Sequence, residues 1–223
     1  MTNDKKHYLL WSGGFDSTAI LLKLCKTSSE ENPVYAIDCN YTSGLSQDQW
    51  KAQRKAKDKI LKKLNKKGYH IKEIKITIDI DSFGSSNFLI QPLWWNLAAI
   101  NIIRDDTRFH FGYIGSDTAF WKIKNEFETA FWNMCGILKK KNVDIIYDFS
   151  NETKDYILEL IKDNDLYDDC WTCESPIKKG RKYIPCRKCS KCSELELYEY
   201  KIKLDKKIRN RKDERKDGVD CTK

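Results

Sequence analysis

Read for apolar and polar positions alone, the chain alternates between two periods. His7–Trp11 is a short apolar run, and over Asp16–Cys25 the apolar residues Ile20, Leu21 and Leu24 recur at helical spacing. Residues 33–38 (PVYAID) form a second buried-strand run, and Gln47–Lys67 is a long charged helix with Ile60, Leu61 and Leu64 on one side. Residues 70–80 (HIKEIKITIDI) alternate as a strand does. An apolar helix opened by Pro92 is expected over 93–104, a strand over 109–115, a helix over 126–139, a strand over 143–149 and a helix over 153–162.

Strand and helix therefore take turns. That order predicts an α/β fold, a doubly wound and mostly parallel sheet with helices on both faces. After about residue 165 apolar residues thin out and cysteines and lysines take over. We expect a main domain over 1–165 and a small zinc-binding subdomain with a charged tail over 166–223, the latter poor in apolar surface so that a metal could fold it.

The passage from the first strand to the first helix reads Ser12-Gly13-Gly14-Phe15-Asp16-Ser17-Thr18. Glycines let backbone N–H groups approach an anion closely. The helix that follows points its positive end at the same spot. Ser12, Ser17 and Thr18 add hydroxyls, so the string has the chemistry of a phosphate cradle. A plainer reading is a tight strand–helix turn capped by Asp16 or Ser17. The string matches neither the GK[ST] ending of a Walker A loop nor a GxGxxG turn.

Five of the nine cysteines lie between 170 and 192, spaced Cys170-x2-Cys173-x12-Cys186-x2-Cys189-x2-Cys192. Zn²⁺ takes four thiolates in a tetrahedron, and CxxC turns supply two from one knuckle. The spacing assigns Cys186, Cys189 and Cys192 and leaves the fourth ligand open between Cys170 and Cys173.

Together the SGGxDS string and the late cysteine trio resemble the 7-cyano-7-deazaguanine synthase family (QueC) of PP-loop ATP pyrophosphatases. The resemblance spans nearly the whole chain in order and spacing, with dense identity only at the turn and the cysteines. It implies an ATP-binding domain of the PP-loop type and a zinc site of Cys173, Cys186, Cys189 and Cys192, with Cys170 spare. It implies that Ser12, Gly13, Gly14, Asp16, Ser17 and Thr18 hold the diphosphate part of ATP, that Asp16 lies near Mg²⁺ or orients the turn, and that Lys154, in the helix ETKDYILELI, sits near the phosphates. The implied reaction adenylates the carboxylate of 7-carboxy-7-deazaguanine. Ammonia then gives the amide, and a second activation gives the nitrile. The resemblance also implies a homodimer, for which the apolar helix 93–103 offers a surface.

The substrate side departs from the family. Tyr41 matches the start of a YGQRH-like motif, but its histidine is absent. QPLWW stands where a PGRN-like helix start is expected. YIGSDTAFWK offers Ser116 and Asp117 where the family has an asparagine and an aspartate. These stretches look closer to QueC-like proteins associated with antiviral defence, which implies an alternative acceptor, an amine on a protein. Asp117 is expected to accept from the N–H edge of the base, and Trp94, Trp95, Phe120 and Trp121 are candidates for stacking it or for the core.

Composition adds bounds. No apolar run reaches the ~20 residues a membrane span needs, and the N-terminus leads directly into a strand, so a soluble, cytoplasmic protein is expected. The formal charge is +8, with lysines crowded at 51–75 and 201–216, either as solvated helix faces or as attraction to phosphate-bearing partners. A tRNA-modifying thiolase, with Cys39 or Cys170 as its reactive thiol, and a non-catalytic nucleotide-binding module are the readings of other classes. No extra RNA-binding domain is expected from this sequence.

Overall fold

The computed structural model describes residues 5–41, 47–78 and 91–201. The elements follow in the order β1 (Lys6–Leu10), α1 (Phe15–Cys25), β2 (Val34–Tyr41), α2 (Gln47–Lys66), β3 (Ile71–Ile78), α3 (Gln91–Ile100), β4 (Thr107–His110), α4 (Thr118–Trp121), α5 (Lys124–Ile137), β5 (Val143–Ile146), α6 (Lys154–Asp163), a 3-10 turn at Tyr167–Asp169, β6 (Ile177–Lys179) and β7 (Lys182–Ile184). A further helix, α7, runs over 190–201. The chain divides into two compact units, Met1–Thr172 and Cys173–Lys223.

The first unit is an α/β domain. Its five strands lie in the order β3-β2-β1-β4-β5 and every neighbouring pair is parallel. The chain winds outward from β1 through β2 to β3, then returns to the other side of β1 for β4 and β5. The order reverses between β1 and β4, and the carboxyl ends of strands at such a reversal are where sheets of this kind bind ligands. Alternation along β1 divides the core. Tyr8 and Leu10 join Phe109, Phe111, Phe127 and Phe131 in one cluster, to which α3 contributes Ala98 and Ala99 and α5 contributes Cys135. The helix 93–103, expected to offer a dimer surface, thus packs Ala98, Ala99 and Ile103 into the core of its own chain. On the other side α1 packs with α6, and Ile20, Leu21, Ile157 and Leu158 are fully buried. No helix among the described residues is long and apolar enough to cross a membrane.

The strand expected over 109–115 is shorter and earlier. Phe111 still donates its N–H to Ile146 at 3.1 Å, but the chain then leaves the sheet. At Gly115 it crosses the loop after β5 so closely that a Cβ would stand 2.8 Å from the Ser150 carbonyl oxygen and 2.9 Å from that of Glu152. Tyr113 and Ile114 are buried as loop residues, which is why the apolar pattern outlasts the strand. Residues 166–172 belong to the first unit, with Leu166 fully buried.

In the second unit β6 and β7 form an antiparallel hairpin, pairing Ile177 with Ile184 and Lys179 with Lys182. Gly180 turns it at φ +59°, the left-handed region that glycine enters without strain.

Candidate functional site

The turn Ser12–Ser17 sits at the carboxyl end of β1, where the strand order reverses. Gly13 takes φ +81°, and Gly14 is the N-cap of α1, with no side-chain hydrogen bond closing the cap. Neither Asp16 nor Ser17 is the cap, so the first N–H groups of α1 are left for another acceptor. The serines hold the turn. The Ser17 hydroxyl accepts from the Ser12 N–H at 3.2 Å and lies 3.0 Å from the Ser12 hydroxyl. The Ser12 hydroxyl accepts from the Gly14 N–H at 3.3 Å. Two backbone donors and two hydroxyls thus converge on one another, an arrangement an anion could enter by exchanging these bonds for its own.

Thr18 points elsewhere. It is fully buried, and its hydroxyl accepts from the Trp11 indole N–H at 3.1 Å. It braces the turn from within the core and offers no hydroxyl to an anion there, unlike the sequence expectation.

Asp16, in the first turn of α1, meets Lys154, the first residue of α6. The Lys154 Nζ donates to both carboxylate oxygens at 2.7 Å. Thr153 is the N-cap of α6, its hydroxyl accepting from the Tyr156 N–H, so the position of Lys154 follows from a well-capped helix start. The pair brings a cation and a carboxylate to the rim of the glycine turn, where each would meet a polyphosphate and its metal.

Sequence reasoning missed the cluster behind the turn. Lys57 lies on the buried face of α2 with Ala52, Ala56, Ile60 and Leu64 and is only 3% exposed. Its ammonium pairs with Asp38 of β2. Arg54 donates to the other Asp38 oxygen at 2.7 Å, to Glu73 of β3 at 3.0 Å and to Asp58 at 2.6 Å. Burial pulls the Lys57 ammonium below the usual lysine range, against the pull of Asp38. This lysine is no part of a solvated face. The signal was its place, one residue after Ala56 and three before Ile60, inside the apolar stripe.

After β4, Asp117 accepts the Ile114 N–H at 2.7 Å and stands at the N-cap position of α4, while Ser116 is exposed. The Trp121 indole donates to the Ile114 carbonyl at 2.9 Å. Phe120 is buried and stacks on Tyr113 with ring centroids 3.5 Å apart. Phe120 is therefore core, and Trp95 and Trp121 pack against the same cluster. The side chain of Trp94 and that of Tyr41 lie outside the described residues.

Within the second unit Cys173, Cys186, Cys189 and Cys192 bring their sulfur atoms within 4.8 Å of one another. They are the four ligands that the resemblance selects. The knuckle orients them through N–H···S bonds: Cys186 N–H to the Cys173 sulfur at 3.2 Å, and the N–H groups of Lys188 and Cys189 to the Cys186 sulfur at 3.4 and 3.3 Å. These two donors draw the Cys186 thiol down to about 6, whereas burial pushes Cys192 up to about 12. Four thiolates this close do not all ionise unaided, and a cation among them supplies what is missing. The group could hold a metal ion. Cys170 lies in the first unit.

The thiols offered for sulfur transfer are not activated. Burial pushes Cys170 up to about 12 and Cys39 up to about 11, the opposite of a reactive thiolate.

No family model matches the chain, and no curated protein matches it. Among solved structures, one that resembles it is the U34-tRNA thiolase NcsA from Methanococcus maripaludis with its 4Fe-4S cluster. The TM-score is 0.45 at 19% identity, over 92% of this chain and 68% of that one. A likeness this distant carries neither the neighbour's activity nor its cluster to the present chain.

Proposed function

We propose that this chain is an ATP-dependent enzyme of the PP-loop type that adenylates a carboxylate, with 7-carboxy-7-deazaguanine as substrate and ammonia as acceptor. One observation carries the reading: the SGGxDS turn lies at the point where strand order reverses, its hydroxyls and N–H groups converging beside the Asp16–Lys154 pair.

ATP enters as substrate. Its β- and γ-phosphates take the Ser12 and Gly14 N–H groups, the Ser12 and Ser17 hydroxyls and the free end of α1. A carboxylate oxygen of the substrate attacks the α-phosphorus. The bond from that phosphorus to the bridging oxygen breaks, and its electron pair leaves with pyrophosphate. Ammonia then attacks the acyl carbon, AMP departs and the nitrogen sheds a proton, giving the amide. Lys154 neutralises charge on the departing diphosphate, and the turn fixes the α-phosphorus in line with the nucleophile. Mg²⁺, bound with ATP, would add positive charge at the phosphates, and Asp16 is the residue to hold it. Ser116 and Asp117 face the purine-like ring in this reading, with the Asp117 carboxylate accepting from its N–H edge while keeping its bond to Ile114.

Cys173, Cys186, Cys189 and Cys192 hold Zn²⁺ in this proposal. Bonds of about 2.3 Å put the sulfur atoms of a tetrahedral site about 3.8 Å apart, in keeping with the 4.0 Å between Cys186 and Cys192. A polynuclear cluster, with one thiolate on each metal, spreads its sulfurs further. An amine on a protein is the alternative acceptor, favoured by the departures at QPLWW and YIGSDTAFWK. A homodimer is part of the same proposal.

The test is pyrophosphate release from ATP and Mg²⁺ with 7-carboxy-7-deazaguanine, against guanine and tRNA as controls, with mass spectrometry of the product. Release with the carboxylated base alone supports the reading. Release with tRNA alone, or with nothing, overturns it. Asp117→Ala should abolish binding of the base and leave ATP binding intact.

A further inference from the structure

Gly13 is held from two sides. Behind it lies the stem of Lys57. A Cβ on residue 13 would stand 2.9 Å from the Lys57 Cγ and 3.4 Å from its Cε. That stem cannot wander, because its ammonium is tied to Asp38 and Asp38 is tied in turn to Arg54. From the other side the Trp171 N–H donates to the Gly13 carbonyl at 2.9 Å. A Cβ on Gly14 would stand 3.7 Å from the Trp171 carbonyl oxygen and 3.6 Å from the Thr172 methyl, so residues 171 and 172 lie along the turn as a strap. In a trans peptide the C=O and N–H point in opposite directions. Holding the Gly13 oxygen on Trp171 therefore aims the Gly14 N–H the other way, toward the Ser12 hydroxyl.

We propose that Lys57 and Trp171 are positioning residues that preset the Ser12–Ser17 turn for a diphosphate, Lys57 through its stem and Trp171 through its backbone N–H. The inference rests on the reading of this turn as the diphosphate site. Two adjacent glycines would otherwise sample many conformations. Clamped, the turn meets that entropic cost on folding and not on binding.

Backbone and stem can be tested separately. Cys170 has φ −70° and ψ 146°, the extended conformation that a following proline requires. Trp171→Pro therefore removes the N–H without forcing its neighbour, and Trp171→Ala loses the same side chain but keeps the donor. Lys57→Met and Lys57→Ala both lose the charge, and only Met keeps the stem. Binding of ATP and of inorganic pyrophosphate is measured by calorimetry on the metal-loaded full chain. Hydrogen exchange of the Gly14 amide is measured by NMR on the nucleotide-free protein, with thermal unfolding to confirm that each variant is folded. Trp171→Pro should bind about tenfold more weakly than Trp171→Ala, the effect of one hydrogen bond. Lys57→Ala should bind about tenfold more weakly than Lys57→Met, as expected when preorganisation is lost. The Gly14 amide should exchange faster in the weaker member of each pair. Equal affinity and equal exchange within either pair overturns the role of that residue. If the wild-type protein binds neither ATP nor pyrophosphate, the functional reading falls, and the exchange comparison alone still decides whether the grip exists.

Discussion

The ammonium of Lys154 stands 2.7 Å from both carboxylate oxygens of Asp16, joining the starts of α6 and α1 across 138 positions of sequence. Each helix start is set by its own local chemistry, a Thr153 cap on one side and a glycine turn on the other. The ion pair between them is only partly exposed, and it stands beside the glycine turn.

Lys154→Ala should lower kcat/KM for pyrophosphate release on the order of 10²–10³-fold, as loss of one charge-stabilising donor does in other active sites. The cost to thermal stability should stay below about 1 kcal/mol, because the pair retains contact with solvent. Steady-state kinetics beside a thermal melt separates the two effects. A large drop in melting temperature with unchanged kinetics would make the pair structural.

Gly115→Ala should destabilise the first unit. The added Cβ would meet two backbone carbonyls at 2.8 and 2.9 Å, which cannot rotate away as a side chain would. A cost of about 1–3 kcal/mol is expected, read from denaturant unfolding.

Metal content should single out four cysteines among five. Cys173→Ser, Cys186→Ser, Cys189→Ser and Cys192→Ser should each lose the bound zinc measured by elemental analysis, and Cys170→Ser should keep one equivalent. Removing the metal with a chelator should abolish amide protection in the β6–β7 hairpin, which has little apolar surface of its own to hold it.

Acid stability should depend on Asp148. Its carboxylate lies 2.6 Å from His110 Nδ1 and 2.9 Å from Lys23, and His110 in turn lies 2.9 Å from His7. Burial alone would raise this carboxyl, but His110 and Lys23 outweigh it and hold it below the usual aspartate range. A depressed carboxylate contributes stability that is present above its unfolded pKa of about 3.9 and is lost as pH falls through the folded value. Asp148→Asn should therefore cost about 1–3 kcal/mol at neutral pH. The difference from wild type should shrink below about pH 4. Urea unfolding across pH 3–7 measures both arms.

Much of this was legible in the sequence where a local rule decided the outcome. The alternation of periods gave the elements in order, because apolar spacing alone separates strand from helix here. The glycine turn could be read because two glycines between a strand and a helix are an uncommon local signal, and the trio Cys186, Cys189 and Cys192 because CxxC spacing is set by the geometry of one knuckle, whereas spacing left Cys170 and Cys173 equal as the fourth of the group and only the resemblance chose Cys173. What escaped depended on contacts between distant elements. Lys57 was hidden in a helix crowded with lysines, and only its partner Asp38, 19 residues earlier, explains its burial. Trp171 acts through its backbone, which no side-chain pattern records. Thr18 matched a phosphate-binding string, but the Trp11 indole turns it inward. The strand after Arg104 was placed too late because Tyr113 and Ile114 are buried outside the sheet.

The most direct test of the central claim is a titration of metal-loaded protein labelled with ¹⁵N-glycine with pyrophosphate, and then with ATP and Mg²⁺, followed by NMR. The account predicts that the Gly13 and Gly14 amides shift together and saturate at one equivalent. Saturable ATP binding that moves other glycines and leaves these two in place would contradict it.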